Sequence, residues 1–292
     1  LDIEGFIVLD KEPGMTSHDC VAIARRTLDT KKVGHAGTLD PMATGILVLG
    51  FGNGTRLLQY ITEGDKSYNA TVVLGAATVT DDREGEIIST ADTSSVTDEM
   101  IRENLATMIG TIAQRPSSVS AVKIDGERAY DRVRAGEKVE LPSRQVTITH
   151  LDITRIDRID NQIQIDIEVT CSAGTYIRAI ARDCGDALGV GGHLSALRRT
   201  RVGAFDLAQS ISLTQLKDGQ FTPLSLAGLA AQTFPVRNLA LDEVVELSFG
   251  RALSTNPRDE IFAAISGDNR LIALLANRDG QAKPISVFAA AK

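Results

Sequence analysis

The sequence predicts a mixed α/β (α+β) fold built around a largely antiparallel sheet flanked by helices, followed by a small β-rich C-terminal unit. Three observations carry that reading. Within residues 163–169, Ile163, Ile165, Ile167 and Val169 alternate with Gln164, Asp166 and Glu168, the period-two pattern of a strand with one buried and one wet face. A wet face favours antiparallel or mixed pairing over a doubly wound parallel sheet. Residues 98–109 and 175–188 instead place apolar side chains at helical spacing. Beyond residue 233 the apolar runs shorten to 261–265 and 270–275, broken by Gly267, Asp268, Asp279 and Gly280, as in short strands joined by turns.

Taken in chain order, residues 5–9 (Gly-Phe-Ile-Val-Leu) read as a buried strand. Thr16 and Asp19 have capping-box spacing ahead of Val21, Ala24 and Leu28 at helical spacing. Residues 45–50 form a second apolar run, and Tyr68, Ala70, Val72 and Leu74 alternate as one strand face. The helix at 98–109 gathers Ile101, Leu105 and Met108, with Thr97 as N-cap and Gly110 past its end. The helix at 175–188 gathers Tyr176, Ile177, Ile180, Ala181, Cys184 and Leu188 and stops at Gly189, so Cys184 reads as a small buried apolar residue. The stretch 222–235 separates two expected domains, 1–232 and 233–292.

Composition narrows the function classes. At 292 residues with 43% hydrophobic and 24% charged content, the chain can bury a sizeable core. No apolar run approaches the length of a membrane span, and Leu1-Asp2-Ile3-Glu4 lacks the features of a signal peptide. Cys20, Cys171 and Cys184 are odd in number and widely spaced, which points to a reducing, cytoplasmic setting rather than a disulfide framework. The net charge of -7 argues against nucleic-acid binding at face value. Locally the balance differs: between residues 171 and 205, Arg178, Arg182, Arg198, Arg199 and Arg201 stand against Asp183 and Asp186, a difference of +3. Phosphates respond to such local fields, although the same arginines also fit a solvated helix face.

Most chemical signatures are missing. His18, His35, His150 and His193 show no metal-ligand spacing, the cysteines do not pair, and no Gly-x-Ser-x-Gly or Walker A sequence occurs. Gly50-Phe-Gly-Asn-Gly54 follows a strand but lacks dinucleotide-fingerprint spacing, and a strand-ending turn accounts for it. Residues 34–45 (Gly-His-Ala-Gly-Thr-Leu-Asp-Pro-Met-Ala-Thr-Gly) are richer, holding three glycines, His35 and Asp40 before Pro41. Pro41 biases Asp40 to extended backbone, and the glycines permit close approach of another chain. The loop is compatible with an ordinary Asx turn or with a reactive carboxylate.

That segment resembles the catalytic motif of the TruB branch of pseudouridine synthases. The resemblance continues through residues 8–17 (Val-Leu-Asp-Lys-Glu-Pro-Gly-Met-Thr-Ser), 66–68 (Lys-Ser-Tyr), 80–85 (Thr-Asp-Asp-Arg-Glu-Gly), 174–178 (Gly-Thr-Tyr-Ile-Arg) and 192–199 (Gly-His-Leu-Ser-Ala-Leu-Arg-Arg). The six motifs follow family order across roughly residues 5–205. It implies a pseudouridine-synthase fold with a small PUA-like C-terminal domain, and isomerisation of uridine at position fifty-five in the T loop of tRNA. No cofactor or metal is implied, and the expected partner is the T loop and stem of tRNA, bound by a monomer.

By the same resemblance Asp40 is the catalytic nucleophile, Arg178 the cation that keeps it ionised, and Tyr68 both a catalytic residue and the platform on which the extruded base stacks. Tyr176 and the backbone of Leu197 match positions that contact the base. His35 matches one that supports the vacated stack, and Asp82 an acidic position that orders the site. Lys11 fits a structural role at least as well as a functional one. One departure lies in residues 115–123, where Val119 stands in place of the family's usual aromatic. Two rival readings are a non-catalytic tRNA-binding or tRNA-remodelling protein using the same groove, and a nucleotide-phosphate enzyme built on Gly50–Gly54.

Overall fold

The computed structural model describes residues 3–117, 123–124, 127–128 and 141–289; Val119 lies outside them. Among the described residues the main sheet has nine strands. β1 (Gly5–Lys11) pairs antiparallel with β3 (Thr44–Phe51), which also carries the short β2 (Val33–Ala36). β4 (Lys66–Leu74) precedes a small hairpin of β5 (Ala76–Thr78) and β6 (Ile87–Thr90). There follow β7 (Gly110–Gln114), a hairpin of β8 (Lys123–Ile124) and β9 (Glu127–Arg128), β10 (Arg144–Ile159), β11 (Gln162–Cys171), β12 (Gly192–Val202) and β13 (Phe205–Asp206).

The main path runs β1-β3-β12-β4-β11-β10-β7, with β13 beside β12. Pairing is antiparallel except where β3 meets β12, through Thr44–Arg198 and Gly45–Arg199. The sheet is thus mixed and largely antiparallel, as the alternation of β11 requires. Gly45 makes the parallel junction possible: at φ +97°, a Cβ there would lie 2.1 Å from the Arg199 carbonyl oxygen.

Tyr68, Ala70, Val72 and Leu74 of β4 and Ile163, Ile165, Ile167 and Val169 of β11 form one core face. Helices Ser17–Thr27, Asp98–Ala106 and Ile177–Ala187 contribute Val21, Ile101, Ile180 and Cys184 to that core. The capping box closes as its spacing implies: Thr16 Oγ1 accepts from Asp19 N at 3.1 Å, and Thr16 N donates to Asp19 Oδ2 at 2.8 Å. Thr97 caps the second helix by accepting from Met100 N, but that helix ends at Ala106 rather than residue 109. The third begins at Ile177, because Tyr176 is still extended at φ -101°, ψ 109°. β1 and β3 are apolar on both faces: Ile7, Leu9, Leu47 and Leu49 join the main core, while Phe6, Val8, Ile46 and Val48 join a second one.

The C-terminal sheet adds to that second core, beside Leu57, Leu58 and Ile61 and Leu226, Leu229 and Ala230. Its strands are β14 (Val236–Asn238), β15 (Leu253–Ser254), β16 (Phe262–Ile265), β17 (Leu271–Arg278) and β18 (Gln281–Val287), in the order β14-β16-β17-β18-β15. Ala263, Ile265, Leu271 and Leu274 face Phe6, Val8 and Ile46. Phe262, Ala264 and Leu275 face the other way, against Leu247 of helix Leu241–Ser248. Asn269 and Asp279, both at positive φ, turn the chain between β16, β17 and β18. The apolar runs at 261–265 and 270–275 are therefore strands.

Candidate active site

Asp40 sits in the loop between β2 and β3, and the backbone on either side of it is pinned. Ser17 Oγ accepts from Leu39 N at 2.9 Å and donates to Leu39 O at 3.2 Å. Lys11, 1% exposed, donates from Nζ to Glu12 O, Met15 O and Pro41 O at 2.9, 2.7 and 3.2 Å. Burial lowers the Lys11 pKa, and nearby negative groups including Asp40 oppose that. With every proton of its ammonium given to a carbonyl, Lys11 acts on the fold of the loop.

Arg178 reaches Asp40 from helix Ile177–Ala187. Its Nε lies 3.0 Å from Asp40 Oδ2 and its Nη2 3.2 Å from Oδ1, a two-point fork. The Arg178 side chain is 6% exposed and that of Asp40 32%, so the cation is inside and the carboxylate edge is open. Arg178 Nη1 donates to Thr80 O at 2.8 Å and lies 3.5 Å from Asp82 Oδ2. Asp82, also buried, accepts from Thr80 Oγ1 at 2.6 Å and from Glu84 N at 3.0 Å. One guanidinium thus ties the Asp40 loop to the 80–85 turn. Glu84 stands close by, its carboxyl raised by burial and then by the charges of Asp82 and Asp40.

The other expected residues take distinct places. Tyr68 is buried on β4, opposite Arg199 of β12; burial raises its phenol pKa, and the charge of Arg199 opposes that rise. His35, on β2, stands edge-on to His18 with ring centroids 5.8 Å apart. Burial, then His18 and Arg199, lower its pKa. Its Nδ1 is buried and makes no good hydrogen bond among the described residues. Tyr176 directly precedes the helix bearing Arg178, and the Arg144 guanidinium lies 4.8 Å from its ring centroid. Leu197 lines an open groove of about 480 Å³ together with Pro13, Met42 and Arg83. Asp40, Tyr68 and Arg178 do not line that groove, but Met42 does and lies two residues beyond Asp40.

Two sequence expectations need correction. The arginines of residues 171–205 do not form one outward-facing cluster. Arg178 is committed to Asp40 and Asp82, Arg182 lies 3.2 Å from Asp81 and 2.7 Å from Asp183, and Arg199 is 1% exposed. Arg198 forks onto Asp10 at 3.0 and 2.7 Å, and Arg201 donates to Ser67 Oγ and Gly203 O. The physical reason is that 198–201 lie on a strand, whose successive side chains point to opposite faces. The nucleotide-phosphate rival also loses its cradle. A Cβ on Gly52 or Gly54 would lie 2.5 Å from the carbonyl oxygens of Ile3 or Gly5, so the N-terminal strand fills that space.

Several site roles were silent in the sequence. Gln114, 1% exposed, clasps the Tyr176 backbone from both sides: Oε1 accepts from Tyr176 N at 2.8 Å and Nε2 donates to Tyr176 O at 3.0 Å. Ser17 and Thr80 lie within the motifs at 8–17 and 80–85, but no spacing shows that their hydroxyls hold Leu39 and Asp82. Among the described residues no group of three His, Cys, Asp or Glu side chains is placed to hold a metal ion. Cys20, Cys171 and Cys184 are buried thiols, Cys184 pushed up to about 12 by burial. No helix among the described residues is long and apolar enough to cross a membrane.

Three family models match the chain: "TruB family pseudouridylate synthase (N terminal domain)" over residues 25–177, "tRNA pseudouridylate synthase B C-terminal domain" over 178–231, and "tRNA Pseudouridine synthase II, C terminal" over 234–289. A tRNA pseudouridine synthase B of Arthrobacter sp. (strain FB24) is 49% identical, the match covering 98% of this chain and 97% of the relative. One of Corynebacterium diphtheriae is 50% identical over 93% and 91%. Among solved structures, a chain of a Cbf5-Nop10-Gar1 complex matches with a TM-score of 0.72 at 25% identity, covering 97% of this chain and 84% of that one. A chain of an H/ACA RNP bound to a substrate RNA containing 2'-deoxyuridine matches at 24% identity with the same TM-score, which bears on the fold alone.

Proposed function

The chain belongs to the TruB family of pseudouridylate synthases, isomerases that turn uridine into pseudouridine, and from that premise we propose that it modifies position fifty-five in the T loop of tRNA with Asp40 as nucleophile. The observation that carries this reading is the Arg178 fork on a partly open Asp40 carboxylate. A guanidinium at 3.0–3.2 Å holds both carboxylate oxygens in one orientation, and an oriented carboxylate can act as a nucleophile toward a nucleoside. The pinned backbone at Leu39 and Pro41 fixes where that attack starts.

The chemistry balances internally. The bond from ribose C1′ to uracil N1 breaks, the base turns, and C1′ bonds to C5. The proton that leaves C5 is matched by one gained at N1, so no oxidant, reductant or cofactor enters the equation. Asp40 leaves as it arrived.

Reaching the uridine requires flipping it from the stacked loop, at a cost of a few kcal/mol. Tyr68 provides an aromatic face for the extruded base, worth about 1–3 kcal/mol by analogy with other stacked bases. Tyr176 and the Leu197 backbone complete the base pocket, His35 supports the stack the base leaves, and Asp82 holds Arg178 in place. Residues 233–292 form a PUA-like domain against the tRNA, and the enzyme works as a monomer in the cytoplasm.

Incubation with an unmodified tRNA transcript, followed by chemical mapping of pseudouridine, should give one product in the T loop. Asp40→Asn should lower the single-turnover rate by at least about 10⁴-fold, in line with the loss of a nucleophile, while RNA affinity stays measurable. Turnover by that variant at the wild-type rate would remove Asp40 from the mechanism. A wild-type protein that binds the transcript and leaves it unmodified would favour the non-catalytic reading.

A further inference from the structure

The most unusual side chain outside the Asp40–Arg178 pair is Arg199. It is 1% exposed and heads the largest fully buried side chains among the described residues. Among the described residues no carboxylate lies within salt-bridge distance of it. Its donors go to backbone carbonyls of a single segment: Nε to Ile46 O at 2.7 Å, Nη1 to Thr38 O at 3.3 Å and Nη2 to Gly37 O at 3.0 Å. Those acceptors lie before and after Asp40 in the chain, so one planar group ties both arms of the loop.

A buried cation without an anion is costly, and an apolar side chain of similar volume would fill the same space more cheaply. What the guanidinium adds is a rigid fork with fixed angles between its donors. It also sits across from Tyr68 in the β4–β12 register, and its charge acts on the Tyr68 phenol, on His35 and on Lys11. Gly45, whose missing Cβ lets β3 lie against the Arg199 backbone, brings the same residue under the loop from the main-chain side. The two cations of the site then divide the work. Arg178 holds the carboxylate of Asp40, and Arg199 holds the main chain that carries it.

We propose that Arg199 is a positioning residue for the isomerisation, setting the height and angle of the Asp40 loop above the Tyr68 face. This rests on the reading of Asp40 as nucleophile. A residue that only supported the fold would, once replaced in a protein that still folds, leave the rate at saturating RNA unchanged. A positioning residue would not, because a displacement near 1 Å at a reacting group costs about 10²-fold.

The test is Arg199→Lys, which keeps the charge and loses the fork, measured by single-turnover kinetics at saturating tRNA transcript beside equilibrium RNA affinity. The expected result is a rate about 10²-fold lower with Kd within threefold of wild type. A rate within threefold of wild type overturns the proposal, as does a change confined to Kd. If Arg199→Lys does not fold, Gly37→Ala serves. It sits at φ +80°, a conformation an L side chain rarely adopts, so an alanine there strains the backbone whose carbonyl accepts from Arg199 Nη2, and the same two criteria apply. Asp40→Asn run in parallel separates the failures. An inactive Asp40→Asn beside an unimpaired Arg199→Lys sinks only the positioning role, whereas an active Asp40→Asn sinks the nucleophile assignment beneath it.

Discussion

Arg178 touches two carboxylates and a carbonyl at once, and the three contacts differ in what their loss would do. With Asp40 proposed as the nucleophile, loss of the fork would act on chemistry, since the Asp40 side chain is partly exposed. The contacts with Asp82 and Thr80 act on stability, because Asp82 is 3% exposed and its Oδ2 faces Arg178 while its Oδ1 accepts from Thr80 Oγ1 and Glu84 N. Arg178→Lys keeps one positive charge but loses the geometry. It should lower the single-turnover rate about 10²-fold and unfolding stability by about 2 kcal/mol, the size of a lost buried charged hydrogen bond, read by urea titration. Loss of stability alone would mean that the fork does not serve Asp40. Asp40 and Arg178 were legible as motif members, and the structure joins them. Arg199 was legible as charge and as the last residue of the 192–199 motif, but neither says which face of a strand it takes. Ser17 was legible only as a motif member and Gln114 had no signal at all, since a single amide or hydroxyl gains meaning only from the backbone it meets.

Between residue and fold lies the turn that feeds β4. The short helix Leu58–Thr62 ends in carbonyls that have no partner within the helix, and Lys66 Nζ donates to Thr62 O and Gly64 O, both at 2.7 Å. Burial lowers the Lys66 pKa from 10.5 to about 8. The sign follows from proton counts. Between these two values the unfolded chain holds a proton on this lysine that the folded chain has released, so this group's contribution to stability rises with pH. From pH 8 to 9.5 the gain should be about 1.5 kcal/mol, seen as the difference between urea titrations of wild type and Lys66→Met. A wild-type curve parallel to that of the variant would place the lysine's ionisation near its ordinary value. At this scale the sequence was a good guide where periodicity was clean, as in β11, and where runs were apolar throughout, as in β1 and β3. It failed for β10, where register shifts at Ile148/His150 and Ile153/Arg155 break the alternation. It failed also for β12, whose arginines resemble a polar helix face until their partners are known.

The whole molecule is joined through its second apolar core. Ile265, Leu271 and Leu274 of the C-terminal sheet pack on Phe6, Val8 and Ile46 of β1 and β3; β3 is the strand into which the Asp40 loop runs, and β1 is its sheet neighbour. Arg56 extends the joint, donating to Val287 O at 2.7 Å and Ser286 Oγ at 2.6 Å and lying 4.6 Å above the Phe288 ring. Composition placed a boundary near residue 233 because apolar runs shorten there, but run length says nothing about which surface a run covers. At about 2 kcal/mol for each large buried side chain, Ile265, Leu271 and Leu274 together contribute about 6 kcal/mol. A domain of ordinary stability has only about 5–15 kcal/mol in total. The two sheets should therefore unfold together, giving one calorimetric transition whose van't Hoff and calorimetric enthalpies agree. A chain ending at residue 232 should melt well below the full chain or aggregate, with Phe6, Val8 and Ile46 uncovered. Two separate transitions, or an unchanged melting temperature in the shortened chain, would show that the joint adds little. In the opposite case the C-terminal sheet would support catalysis from behind, by holding the strand that presents Asp40, whatever it also contributes to gripping RNA.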